Sequence, residues 1–207
     1  MVRLPPLYAI VDPLDTGADP VELAAALLAG GARLLQLRLK EATSRELLRV
    51  SDAIRPRARA AGALFLVNDR PDIARAAHAD GVHLGQDDLP VAAARRILGP
   101  ERLIGVSAHD VQEALAAEAA GVDYIAVGPI YATTSKARPL APRGLDLVRA
   151  VRASVQRPLV AIGGISPDTA AVVRRAGADA VAMIAALVRP PDVAAAVRGA
   201  LERLADT

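Results

Sequence analysis

Short apolar runs of strand length alternate along the chain with longer stretches in which apolar residues recur every three to four positions. Eight such runs are present, at Leu7–Val11, Leu34–Leu37, Leu64–Val67, Val82–Leu84, Leu103–Val106, Tyr124–Val127, Leu159–Ile162 and Ala180–Ile184. The helical periodicity marks Val21–Ala29, Ser44–Ala60, Val91–Leu98, Val111–Ala120, Leu145–Ala153, Thr169–Ala176 and Val193–Leu204. The pattern therefore predicts buried strands that alternate with amphipathic helices.

The boundaries of the predicted helices have their own sequence pattern. Asp19-Pro20 and Ser166-Pro167 each place a capping side chain before a proline, which is favoured at the first helical position. Glycine stands near the end of several helical stretches, where it enters the left-handed conformation at little cost. These glycines are Gly31, Gly62, Gly81, Gly121 and Gly177. A helix that ends shortly before the next strand predicts parallel strands joined by helical crossovers.

Eight strand–helix units favour a closed (β/α)8 barrel, the TIM barrel of the α/β class. The 207 residues divide into about 26 per unit, close to the smallest barrels of this type. A doubly wound open sheet would show the same alternation, but no linker or change in composition divides the chain. We therefore expect residues 1–207 to form a single TIM-barrel domain.

Composition excludes several classes of protein. Apolar residues make up 53% and charged residues 23%, which is typical of a globular chain and not of a disordered one. The high pI of about 9.4 arises because 23 of the 25 basic residues are arginine, while the net charge is only +2. With four aromatic residues and scattered charges, nucleic acid is not an expected partner.

The same features bear on location and on redox chemistry. No apolar run approaches the length of a membrane span, and prolines interrupt the N-terminal segment where a signal peptide would be apolar. A cytoplasmic location without a membrane partner is therefore expected. The chain has no cysteine, so disulfides and thiolate nucleophiles are excluded. A homo-oligomer remains possible.

In a barrel of this kind the chemistry lies where the strands end and the βα loops begin. After the second strand, alternation places Gln36, Arg38 and Lys40 on one face. An amide, a guanidinium and an ammonium group together suit a phosphate chain, because arginine binds it bidentately and lysine adds a mobile charge. The alternative is a solvated strand end, paired with Glu41 or Glu46.

Acidic residues follow the third and fourth strands. Asn68 and Asp69 end the third strand, and Asp88 follows the fourth. Mg²⁺ is usually held by one or two carboxylates together with phosphate oxygens, so Asp69 and Asp88 on adjacent loops form a plausible site. Each of the three residues has an alternative role as a cap of the helix that follows it.

The remaining strand ends carry hydroxyl groups, glycines and the second lysine. Ser107 follows the fifth strand, where its hydroxyl group would either donate a hydrogen bond to a phosphate or cap the next helix. A histidine such as His109 is more often structural than catalytic. The sixth strand leads to a hydroxyl-rich loop that contains Thr133, Thr134, Ser135 and Lys136. Where barrels commonly bind phosphate, the seventh and eighth strands are followed by Gly163-Gly164 and Met183-Ile184-Ala185.

Taken together these motifs resemble those of the thiamine phosphate synthases. They are Gln36–Lys40, Asn68-Asp69, Asp80–Asp88, Gly105–His109, Val127–Lys136 and Ile162–Ile165. The resemblance implies a (β/α)8 transferase of thiamine biosynthesis. Such an enzyme joins 4-amino-2-methyl-5-hydroxymethylpyrimidine diphosphate to a thiazole phosphate, which is carboxylated in some substrates. Pyrophosphate leaves in a Mg²⁺-assisted dissociative substitution, and thiamine phosphate is formed.

The resemblance also implies roles for single residues. Gln36, Arg38, Lys40, Asn68, Ser107 and Lys136 would hold the pyrimidine diphosphate, and Arg38, Lys40, Ser107 and Lys136 would be the catalytic members of that set. Asp69 and Asp88 would ligate Mg²⁺. Thr133, Thr134, Ser135, Gly164, Ile184 and Ala185 would surround the thiazole phosphate. Two positions depart from the family pattern, because Leu39 stands in place of an acidic residue and Ala185 in place of a serine.

Two other functions remain open from the sequence. The first is a thiazole tautomerase of the same fold, which would use His109 as acid and base and needs neither diphosphate nor Mg²⁺. The second is a non-catalytic barrel that binds a phosphate ligand. The joint presence of Asp69, Asp88 and Lys136 favours the synthase, since these residues would have no task in a tautomerase.

Overall fold

The computed structural model describes residues 2–14, 16–133 and 140–205, and within them eight parallel strands close into a barrel in chain order. The strands are β1 Leu7–Val11, β2 Leu34–Leu37, β3 Leu64–Asn68, β4 Gly81–Leu84, β5 Leu103–Ala108, β6 Tyr124–Val127, β7 Leu159–Ile162 and β8 Ala180–Met183. The first strand pairs with both its successor and β8, which closes the sheet. The predicted (β/α)8 barrel is therefore confirmed.

Nine helices lie within the described residues. They are α1 Pro20–Ala29, α2 Ser44–Ala60, α3 Pro71–Ala76, α4 Val91–Leu98, α5 Val111–Ala119, α6 Gly144–Ser154, α7 Pro167–Arg175, α8 Ala185–Val188 and α9 Val193–Ala205. The sequence pattern missed α3 and α8, since six and four residues are too short to show a helical period. None of the described helices has the length and apolarity needed to cross a membrane.

The helix boundaries agree with the predicted chemistry at Asp19 and differ from it at Gly81. Asp19 accepts hydrogen bonds from the backbone N–H groups of Val21 and Glu22 at 2.8 and 3.1 Å, and so caps α1. Gly81 was expected to stop a helix but is the first residue of β4, and His78 makes the left-handed turn after α3 with φ 53°. Glycine is needed at position 81 for a different reason. A Cβ there would lie 2.2 Å from the Leu103 carbonyl oxygen of the neighbouring strand.

The apolar core has two layers, one between the strands and the surrounding helices and one inside the barrel. The inner layer is not wholly apolar, because the buried side chains of Tyr8, Gln36, His83 and Tyr124 lie there. With helices covering the outside, the carboxyl ends of the strands form an open rim. This rim holds the candidate site.

Candidate active site

The structure brings the residues at the carboxyl ends of strands β2 to β5 to one sector of the rim. These four strands are consecutive neighbours in the sheet. Asn68 lies beside His83 in the register of β3 and β4, and Ser107 belongs to the next strand, β5. Residues that are up to 71 positions apart, from Gln36 to Ser107, therefore lie on neighbouring strands at one end of the barrel.

Arg38 is held by a carboxylate that the sequence analysis missed. Its guanidinium forms an ion pair with Asp12, which follows β1 and is 8% exposed. The second carboxylate oxygen of Asp12 accepts the Leu14 N–H at 3.0 Å, so the carboxylate is itself fixed. The Arg38 side chain is only 15% exposed. Arginine at this position is therefore oriented before any substrate arrives. A polar residue directly after the first apolar run was the available sequence signal.

Lys40 lies further out on the rim and pairs with a different carboxylate. Its ammonium group contacts Asp69, and 49% of its side chain is exposed. The alternative in which the residues after β2 pair with Glu41 or Glu46 is wrong for Arg38 and Lys40, because their partners lie on other loops of the rim. Two basic groups therefore converge on the site from one strand end.

Asp69 owes its direction to an unusual backbone. Its φ is 64°, a left-handed conformation in which few residues other than glycine are found. Its N–H donates to the His83 carbonyl oxygen at 2.8 Å, so the chain turns while still attached to β4. Asp69 does not cap α3, which begins after Arg70 without a side-chain cap. The strained residue thus has no role in helix capping, and such strain is often found at functional sites.

Asp88 meets Asp69 from the neighbouring loop. The two carboxyl groups are within hydrogen-bonding reach of each other, and the Gly85 N–H donates to Asp88 at 2.6 Å. Burial raises the pKa of Asp88 and the Asp69 carboxyl raises it further, against the Gly85 N–H, which favours the charged form. The cap interpretation is wrong here too, because α4 begins after Pro90 without a side-chain cap.

The donor set fits Mg²⁺. Two carboxylates in mutual reach attract a divalent cation, and Mg²⁺ usually takes one or two carboxylates and completes its octahedron with water and phosphate oxygens. Among the described residues no group of three His, Asp or Glu side chains converges, so a closed all-protein cage is not formed. The pair therefore matches a cation that arrives with, or is completed by, a phosphorylated ligand.

Gln36 and Ser107 connect the rim with the barrel interior. Gln36 is buried and its Nε2 donates to the Tyr8 hydroxyl at 2.8 Å. Ser107 is half-buried and lies 3.0 Å from His83 Nε2. It does not cap α5, since Asp110 accepts the Glu113 N–H there.

The other half of the rim is built from the loops after β6, β7 and β8. Thr133 is half-buried, whereas Thr134, Ser135 and Lys136 lie outside the described residues. A Cβ on Gly164 would lie 2.3 Å from the Ala132 carbonyl oxygen, so the close approach of the two loops requires glycine there. Ile184 precedes α8 and Ala185 begins it.

Two further positions bear on the alternatives. His109 Nδ1 is 2.9 Å from Glu113 Oε2, and its side chain is 20% exposed. Leu39 packs against the apolar layer outside the barrel, so the departure from an acidic residue at this position does not alter the group that faces the site.

Comparison with known proteins agrees with this geometry. The sequence model of the family described as thiamine monophosphate synthase matches residues 7–187. A thiamine-phosphate synthase of Moorella thermoacetica is 52% identical over 93% of this chain and 92% of its own length. One from Chloroflexus aurantiacus is 49% identical over 93% and 89%.

A solved structure supports the same relationship. The thiamine phosphate pyrophosphorylase of Pyrococcus furiosus superposes with a TM-score of 0.88 at 37% identity, covering 97% of this chain and 95% of that one. The family match spans most of the barrel, and the relatives are about half identical along nearly their whole length. The chain therefore belongs to the thiamine monophosphate synthase family.

Proposed function

We propose that the protein is a thiamine phosphate synthase that joins a hydroxymethylpyrimidine diphosphate to a thiazole phosphate and releases pyrophosphate. The observation that carries the proposal is the meeting of Arg38, Lys40, Asp69 and Asp88 in one sector of the rim. Two cations and a pair of carboxylates suit a diphosphate accompanied by Mg²⁺. The family membership of the chain supports the same reaction.

In this reaction the bond between the pyrimidine methylene carbon and the diphosphate oxygen breaks with its electron pair on oxygen. The carbon becomes a cation stabilised by the aminopyrimidine ring, and the thiazole nitrogen then forms the new bond to it. Negative charge therefore grows on the leaving group in the transition state, and positive groups placed there in advance lower the barrier.

Arg38 and Lys40 are the described cations placed to do this. Asp12 holds the Arg38 guanidinium, so little side-chain entropy is lost when arginine binds the diphosphate. Lys40 is exposed enough to shift its ammonium group from Asp69 toward a ligand. Lys136, by the family resemblance, adds a third positive charge from the loop after β6.

Asp69 and Asp88 would hold Mg²⁺, which when bound neutralises charge on the diphosphate and aligns its oxygens. The two carboxylates supply the negative charge that attracts the cation, next to Arg38 and Lys40, which bind the diphosphate. No protein nucleophile is required, which agrees with a chain without cysteine. On the opposite side, Thr133, Gly164, Ile184 and Ala185 would surround the thiazole phosphate together with Thr134 and Ser135.

A pyrophosphate-release assay with purified protein tests the proposal. Release should require both substrates and Mg²⁺, and mass spectrometry should show thiamine phosphate in equal amount. Conversion of the thiazole alone, without diphosphate or Mg²⁺, would indicate the tautomerase instead. Binding of either substrate without turnover would indicate a phosphate-ligand binder, and either result would overturn the proposal.

A further inference from the structure

A continuous chain of hydrogen bonds crosses the interior of the barrel between two residues of the candidate site. Gln36 Nε2 donates to the Tyr8 hydroxyl at 2.8 Å, and the Tyr8 and Tyr124 hydroxyls lie 2.9 Å apart. Tyr124 is 2.9 Å from His83 Nδ1, and His83 Nε2 is 3.0 Å from Ser107 Oγ. The middle three residues have no role in the proposed reaction so far.

The three middle residues are fixed by packing as well as by these contacts. Tyr8 and Tyr124 are each at most 1% exposed, and their rings meet edge to face at 5.9 Å between centroids. The imidazole of His83 stacks on Tyr124 at 5.7 Å. A Cβ on Gly105 would lie 1.9 Å from Cζ of Tyr124, so the ring occupies space that only glycine leaves open.

Once Gln36 donates, one direction of this hydrogen-bond chain gives every buried hydroxyl hydrogen an acceptor. Burial raises the pKa of both Tyr8 and Tyr124, so each phenol keeps its single hydrogen at neutral pH. Tyr8 accepts from Gln36, and its own buried hydrogen finds an acceptor if it donates to Tyr124, whose hydrogen then goes to His83 Nδ1. A neutral imidazole that accepts at Nδ1 carries its hydrogen on Nε2 and donates it to the Ser107 oxygen.

The consequence at the rim is a defined polarity. Ser107 accepts from His83, so its own hydroxyl hydrogen is left for another acceptor. At the opposite end of the hydrogen-bond chain, the amide nitrogen of Gln36 donates to Tyr8 inside the barrel. In the reverse direction Ser107 would give its hydrogen to His83 and could offer an anion only a lone pair, which would repel it.

We propose that His83 is a positioning residue whose Nε2–H tautomer, set by Tyr8 and Tyr124, keeps Ser107 as a hydrogen-bond donor toward the anionic substrate. The role of Ser107 as substrate ligand rests on the proposed function. The direction of the buried chain does not, because it follows from contacts within the barrel.

The tautomer is measured directly by ¹⁵N NMR of histidine-labelled protein without substrate. The chain has three histidines, so His83 is assigned as the signal that disappears in His83→Gln. We expect Nε2 to be protonated and Nδ1 to be the acceptor. A signal protonated at Nδ1, or at both nitrogens, would overturn the proposal. The tautomer is read from the wild-type protein, and the spectra of folded His78→Gln and His109→Gln variants confirm the assignment because the His83 signal persists in both.

Kinetics then show whether the buried hydrogen-bond chain acts through Ser107. Tyr124→Phe removes one hydroxyl and keeps the ring, so the tautomer is no longer set, and kcat/KM for the pyrimidine diphosphate should fall about three- to tenfold. Ser107→Ala should lower it by about tenfold or more. In the double variant, Tyr124→Phe should add no further loss to that of Ser107→Ala, because the group it positions is gone.

A matched control separates positioning from loss of a buried hydroxyl. Ser51→Ala removes a fully buried hydroxyl in α2 that donates to the Leu47 carbonyl oxygen, far from the chain of contacts, and should leave kcat/KM unchanged. Losses from Tyr124→Phe and Ser107→Ala that multiply in the double variant would mean a structural role and would overturn the proposal. Absence of turnover in the wild-type protein would instead refute the proposed function, and the NMR result would still decide the direction of the chain.

Discussion

Replacing Asp88 by asparagine is expected to stabilise the protein in the absence of divalent cations and to weaken its response to Mg²⁺. Asparagine is nearly the same size and can still accept the Gly85 N–H, so the loop has no reason to move. The substitution removes one of two carboxylates that lie within hydrogen-bonding reach. The substitution should therefore raise Tm without Mg²⁺ but reduce the further rise in Tm that Mg²⁺ causes, and the experiment must show both.

The size of the first effect follows from the charges around the pair. Two like charges about 4 Å apart repel by about 4 kcal/mol at an effective dielectric constant of 20. The Lys40 ammonium group offsets much of this, and salt screens what remains at an open rim. A net gain of about 1 kcal/mol remains, which in a chain of this length raises Tm by roughly 2–4 °C.

The second effect follows from binding linkage. A ligand that binds only the folded state at ten times its Kd stabilises it by about 1.4 kcal/mol. For the wild-type protein this is a rise in Tm of roughly 3–6 °C. With one carboxylate left, most of the shift at the same Mg²⁺ concentration should be lost.

The pH dependence has a defined sign. The pKa of Asp88 is raised in the folded state, mainly by burial. Between the ordinary pKa of aspartate and this raised pKa, the folded protein therefore binds more protons than the unfolded chain. Stability conferred by this group is therefore lost as pH rises. The gain in stability from Asp88→Asn should be largest near neutral pH. It should shrink as pH falls toward the ordinary pKa of aspartate, because the side chain at position 88 is then uncharged in both proteins.

Differential scanning calorimetry with EDTA and with MgCl₂ measures the gain in Tm and the shift in Tm caused by Mg²⁺. Repeating the scans in EDTA at several pH values measures the pH dependence. Asp87→Asn is the matched control, because it removes an exposed carboxylate from the same loop and should leave the Mg²⁺ shift unchanged. If Asp88→Asn lowers Tm in EDTA, the repulsion argument fails. If it keeps the full Mg²⁺ shift, Asp88 is not a ligand.

Three further predictions concern the rim and the barrel interior. Asp12→Asn should lower kcat/KM about tenfold, because Arg38 loses the carboxylate that orients it; in an Arg38→Ala background the same change should have little effect, and equal losses in both backgrounds would refute the orienting role. Lys136→Ala should lower kcat/KM roughly tenfold to a hundredfold with an unchanged circular dichroism spectrum, since a charge-assisted hydrogen bond contributes about 1.5–3 kcal/mol; unchanged kinetics would remove Lys136 from the catalytic set. Gly105→Ala should lower the free energy of unfolding in urea by about 1–3 kcal/mol, because the new Cβ meets the Tyr124 ring, and a stability equal to wild type would show that the ring can move at no cost.

Much of the fold could be predicted because its signals are local. Four of the eight strands, such as Leu34–Leu37, have the bounds that the apolar runs predicted, since consecutive buried residues are visible without any long-range contact. The helix α3 was missed because its six residues hold less than two full turns. The role of Gly81 was assigned wrongly because its requirement for glycine comes from Leu103 on the adjacent strand and not from its own backbone angle.

The candidate site divides in the same way. Residue type and position after a strand were enough to propose Arg38, Lys40, Asp69 and Asp88, because a parallel barrel brings all strand ends to one rim. Their pairing was not predictable. Arg38 contacts Asp12, a residue 26 positions earlier, and the choice among nearby carboxylates depends on barrel closure.

The amino-acid sequence by itself determined the number and order of the strands, the class of the barrel and the rim on which the chemistry lies, because these depend on periodicity and on the handedness of parallel connections. Only the tertiary structure decided which groups touch. The chain of hydroxyl and imidazole groups inside the barrel joins residues from β1, β2, β4, β5 and β6, and the sequence contains no sign that Tyr8 and Tyr124 would meet across 116 positions. Such contacts arise when a sheet closes on itself, and closure places side chains together without regard to their distance along the chain.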